Sequence, residues 1–141
     1  MRRVLIAAMC AALAGCPADE PPACVTVDTS CTPSYQPTFD NVFEMTLENG
    51  CGSQLASCHS RAGKQGNMSF EDPQTAHDAL LAGRVKPGDA ACSEMIVRVE
   101  SPGTDYEMPP GAPLSAGHRC ALVQWVQAGA PGPGVTLGAA R

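Results

Sequence analysis

Aromatic side chains are too scarce in this chain to fill a core unaided: three Phe, two Tyr and one Trp stand against eight Cys in 141 residues. The 14 Gly and 13 Pro further dilute the apolar content available for packing. A sequence so composed needs cross-links, or a large apolar cofactor packed inside it, to hold a unique fold. Which of the two applies depends on where the cysteines go.

The N-terminus removes two of them. "MRR" is a basic start, and "VLIAAMCAALAG" is an apolar stretch too short to span a bilayer. It runs into "LAGC", Leu13 to Cys16, which resembles the lipobox of bacterial lipoproteins. That resemblance implies a signal peptide over residues 1–15 and a lipid-modified Cys16 as the new N-terminus. A short buried helix of an intracellular protein fits less well, because acidic residues are absent before Asp19 and Pro17 follows at once. The expected location is the cell envelope, lipid-anchored and facing the periplasm or exterior. Pro17 is not an aspartate-type retention signal, which gives the outer membrane a weak preference.

Cys10 leaves with the signal peptide and Cys16 carries lipid, so Cys24, Cys31, Cys51, Cys58, Cys92 and Cys120 remain. Outside the cytoplasm these are expected to be oxidised or otherwise occupied. Without Arg2 and Arg3 the chain has seven Lys+Arg against fourteen Asp+Glu, a formal charge of −7. Such a balance disfavours nucleic acid and suits a basic partner protein.

Residues 16–37 read as a tether. "PADEPPA" is extended, and the β-branched "CVTVDTSC" suggests a hairpin or loop closed by a local Cys24–Cys31 disulfide. Residues 38–130 read as one mostly α domain with long loops. The spacing of Phe39, Val42, Phe43 and Leu47 predicts a core-facing helix with Thr38 as N-cap and Gly50 as its stop. "TAHDALLAG" is a second helix ending at Gly83. A turn at Pro87-Gly88-Asp89 precedes a third, running to about Glu100. The four prolines of "SPGTDYEMPPGAP" exclude regular structure, and Ser115 caps a last helix whose apolar faces are Leu122, Val123, Trp125 and Val126. Residues 131–141 read as a flexible tail. Met45, Met68 and Met95 read as packing residues, and His77 and His118 as surface or satisfied core histidines.

Gly50 to Ser60, "GCGSQLASCHS", holds the chemistry. A Cys-His dipeptide ends the CxxCH signature of covalent haem attachment, but Leu55 occupies the usual first-cysteine position and Cys51 lies seven residues upstream of Cys58 where the usual spacing is three. Downstream come "GNMSF", "KPGDAACSEMIVRV", "EMPPGAPLS" and "WVQAGA". In this order the features resemble the small c-type cytochrome domains of bacterial lipoproteins, of the myxobacterial and planctomycete type, over roughly residues 38–130. The resemblance implies a cytochrome c-like helical fold, haem c and one-electron transfer between envelope redox proteins. It places a thioether at Cys58, the proximal ligand at His59 and the distal ligand at Met108. His-Met ligation raises the potential and fills both axial positions, favouring electron transfer over oxygen chemistry. The chain is then a carrier rather than an enzyme, with peroxidase-like activity only if the distal iron site is open.

Three fates for Cys51 fit the residues: a second thioether across the enlarged loop, an odd thiol beside a single thioether at Cys58, or a disulfide with no haem. Parity favours two thioethers or none. With two, Cys24, Cys31, Cys92 and Cys120 pair evenly as 24–31 and 92–120. The resemblance puts the last two cysteines on helices of one small domain, where a bridge would stabilise by roughly 3 kcal/mol. The competing function is a haem-free lipoprotein held by three disulfides and serving as a structural or interaction module. Zinc is disfavoured because adjacent Cys58 and His59 rarely share one tetrahedral ion. GxSxG, HExxH and glycine-rich phosphate loops are absent.

Overall fold

The structure, a computed structural model, describes residues 20–52 and 58–136. The segment expected to be a signal peptide, Cys16, Leu55 and the end of the tail lie outside the described residues. Among the described residues there are helices and loops but no strands, and no helix is long and apolar enough to cross a membrane. The chain is a small helical domain stapled by two disulfides.

Helix α1, Phe39–Val42, starts where Thr38 accepts a hydrogen bond from the Asn41 amide. It continues directly into a π-helical segment, Phe43–Gly52, passing the expected stop at Gly50. The predicted stripe is core: Phe39, Val42, Phe43 and Leu47 are all buried. Helix α2, Pro73–Leu81, begins two residues earlier than expected, because Asp72 caps the Thr75 amide and Pro73 takes the first position, where its missing N–H costs nothing. Helix α3 spans Glu94–Val99 and helix α4 spans Ala116–Gln127, the latter capped by Ser115 on the His118 amide. Helix α4 packs against α1 and α3. In its last turn Trp125 is fully buried, 5.3 Å from the Phe39 ring, and donates its indole N–H to the Pro131 carbonyl.

The disulfides correct the expected pairing. Cys24 bonds Cys92 and Cys31 bonds Cys120, so "CVTVDTSC" neither closes on itself nor forms a hairpin. Instead it lies across the domain as a strap. The Val25 amide donates to the Ala91 carbonyl, Val25 and Val27 pack on the core, and Gln124 donates to the carbonyls of Thr29 and Cys31. At Ser34 the strap touches the first turn of α4, where a Cβ on Gly117 would fall 2.0 Å from the Ser34 hydroxyl. The physical reason for the re-pairing is apolar: the two valines find more surface to bury on the domain than within an eight-residue loop. The far end is also tied down as far as it is described. Gly134 donates to the Asp40 carboxylate and Trp125 to Pro131.

Candidate functional site

Cys51, Cys58, His59 and Met108 line a single cavity of about 270 Å³. The π-helical segment and helices α2, α3 and α4 all contribute to it. Thr46, Leu47 and Cys51 come from the π-helical segment, Leu80 from α2, Met95 and Val99 from α3, and Leu122 from α4. The loop at 108–114 adds Met108, Pro109, Pro110 and Leu114. Most of these side chains are apolar, as a cavity for a large flat hydrophobic group requires.

Backbone bonds set the Cys-His pair. The His59 amide donates to the Cys51 carbonyl at 3.2 Å, Gln65 donates to Cys58 at 2.7 Å, and Phe70 donates to His59 at 2.8 Å. The two parts of the enlarged motif are thus joined at its base. The π-helical winding, with its wider turn, ends here at Cys51 and Gly52. Gly52 allows a close approach to the site's wall: a Cβ there would lie 2.6 Å from both the Cβ and the carbonyl oxygen of Phe70. Gly52→Ala must therefore move the Phe70 backbone, and it is expected to cost about 1–3 kcal/mol in urea unfolding. A cost below about 0.5 kcal/mol would show that this wall yields freely.

His59 is 8% exposed and its ring lies 4.9 Å from that of Phe70. Its Nδ1 is buried and has no hydrogen-bond partner. Burial pushes its pKa below the ordinary imidazole value, partly offset by the backbone of Gln65, so the ring is held in the neutral form that can ligate a metal. Cys51 and Cys58 are both free thiols. Burial, then the neighbouring Cys58, pushes Cys51 up to about 11. Met108 is half-buried, and its amide donates to the Arg98 carbonyl at 3.3 Å. Beside it Glu107 is buried and accepts from the Gly103 amide at 2.7 Å, which steadies the loop that carries Met108.

Other expected roles divide. Met68 and Met95 pack on the core and line the cavity, whereas Met45 is 49% exposed and packs on nothing central. That corrects its assignment as a packing residue: on the π-helical segment it faces away from the buried stripe. His77 is buried and donates to the Ala130 carbonyl, and His118 shares hydrogen bonding with Thr46; neither lines the cavity. Trp125 is core and also stands outside the cavity lining.

Sequence reasoning missed Arg84, Glu94 and Arg98, which bring charge to the cavity. The i,i+4 spacing of Glu94 and Arg98 on α3 was a usable signal. Arg84 sits ten residues before Glu94 and nothing local announces it. Burial raises the Glu94 pKa, but the hydrogen bonds and charges of Arg84 and Arg98 outweigh it, and the net shift is downward.

Residues 56–111 match the family model described as Planctomycete cytochrome C. The matched stretch contains Cys58, His59 and Met108 and excludes Cys51, which lies upstream of it. No curated protein and no solved structure matches the chain.

Proposed function

We propose that this chain, cytochrome c-like over residues 56–111, binds one haem c and carries single electrons at the cell envelope, anchored by lipid on Cys16. One observation carries the proposal: Cys51, Cys58, His59 and Met108, spread over the length of the domain, line one mostly apolar cavity.

The residues present fit the group. A neutral buried imidazole with an unpartnered nitrogen, at His59, and the thioether of Met108 on a proline-rich loop would suit haem iron as ligands. An axial pair draws only two ligands from the chain, and this is compatible with the lack, among the described residues, of any cluster of three His, Cys, Asp or Glu metal ligands. Cys58 and Cys51 would supply the thiols for thioether attachment of the haem. When bound, haem supplies a reversible one-electron couple. The chain's own residues would hold it, supply ligands to its iron and keep water from it.

The haem-free alternative would use Cys51 and Cys58 as a third disulfide. Both are free thiols beside a cavity, which favours the haem reading. The two disulfides that do form suit an oxidising compartment, and the acidic chain suits basic redox partners.

The test is export of the full chain in a periplasm that contains haem-maturation machinery, followed by its spectrum in alkaline pyridine. A haem c band at the position for two thioethers is expected, with Cys51 modified in the mass spectrum. Folded, exported protein with no band would overturn the proposal. Met108→Ala should keep attachment but change the spectrum and lower the potential. If it changes neither, Met108 is not the distal ligand.

A further inference from the structure

The cavity is lined by neutral side chains except at one place. Among the described residues that line it, only Arg84, Glu94 and Arg98 carry charged side chains. Arg98 gives its Nε and Nη2 to Glu94 Oε1, both at 2.9 Å, and Arg84 gives its Nη1 to Glu94 Oε2. Arg84 also donates to the Gly66 carbonyl and Arg98 to the Tyr106 carbonyl, each at 3.4 Å. Two guanidiniums around one carboxylate leave a surplus of one positive charge. That surplus stands at the edge of an apolar cavity, in a chain that is acidic overall.

Holding α3 together does not call for this surplus. The i,i+4 pair of Glu94 and Arg98 already neutralises itself, and a second arginine on the same carboxylate adds a charge that no other described residue lining the cavity balances. The three side chains are 28–37% exposed, so solvent and a ligand edge can both reach them. Each guanidinium has five donors in a planar fork suited to carboxylates. The complement is an apolar ligand with acidic groups along one edge.

We infer that Arg84 and Arg98 bind the propionate carboxylates of the haem, with Glu94 as the positioning residue that holds the two guanidiniums in place. This rests on the haem reading above. It also fixes which way round the macrocycle enters, since its acidic edge must meet α3 and the end of α2 while its apolar body meets Leu47, Phe70 and Leu122.

The experiment uses the matured, haem-loaded full chain and compares Arg84→Gln, Arg98→Gln, Glu94→Gln and Arg98→Lys, with Lys86→Gln as a control. Lys86 is exposed and lies outside the cavity. A positive charge beside the group favours its reduced state. Each Arg→Gln change should therefore lower the potential, raising the oxidised-to-reduced ratio at a fixed poise by about three- to tenfold. Glu94→Gln should shift it the opposite way, and Arg98→Lys should lie near the wild type. The propionate bending bands in the resonance Raman spectrum should move in the arginine variants and not in Lys86→Gln. Shifts of one sign in all three neutralised variants, or no larger than that of Lys86→Gln, would overturn the inference while the haem reading stands. Wild-type protein without covalent haem would overturn both.

Discussion

His59→Ala is expected to remove at least nine-tenths of the ligated haem from exported protein while leaving the polypeptide folded. The two halves of that expectation have separate causes. The ring's protein contacts are few: it packs on Phe70, and its Nδ1 has no partner to lose. Truncation costs the haem-free fold only packing, about 1–2 kcal/mol. No other histidine stands ready to replace it, because His77 is committed to Ala130 and His118 to Thr46, both away from the cavity. The measurements are haem content by pyridine spectrum and stability by urea unfolding of the same preparation. Undiminished, normally ligated haem would move the proximal ligand away from His59. A collapse of stability with no haem ever present would instead make His59 a structural residue.

Removing the strap's cross-links is the second large effect. The Cys24–Cys92 and Cys31–Cys120 bonds join residues 68 and 89 apart in sequence. On the chain-entropy estimate, each closes a loop worth about 4–5 kcal/mol when it is the only bridge present. The two loops overlap, so the second bridge adds less than the first. A small domain is stable by only about 5–15 kcal/mol in all. Cys31→Ser with Cys120→Ser should therefore lower unfolding stability by about 3–5 kcal/mol, and loss of both bridges should leave little folded protein. The strap also loses its hold on the buried faces of Val25, Val27 and Tyr35. Unfolding curves of the double and quadruple serine variants check this. A change below about 1 kcal/mol would mean that strap packing alone holds the fold.

Much of the fold is legible in single residues. Thr38 and Ser115 start helices because their oxygens reach amides three residues on, a purely local event. The stripe from Phe39 to Leu47 is visible because burial imposes a period. Met108 was legible through its prolines and the motif around it, and the cavity gathers it with Cys51, Cys58 and His59. Less local features escaped. Parity counts cysteines without saying which meet, so the four structural cysteines were identified but their partners were exchanged. The π-helical winding through Cys51 has no residue signature, since the composition of Phe43–Gly52 would serve an α-helix equally well. The Arg84–Glu94 contact joins two elements across a turn, and only folding brings them together.

The strap also sets a leash. In a chain anchored through Cys16, as proposed, the first covalent tie to the rest of the domain is at Cys24, bonded to Cys92. Eight residues span at most about 28 Å when fully extended. Without the bridges the slack would run on to Thr38, nearly three times as far. On that proposal the bridge to Cys92 keeps the domain within a few tens of ångströms of the lipid headgroups.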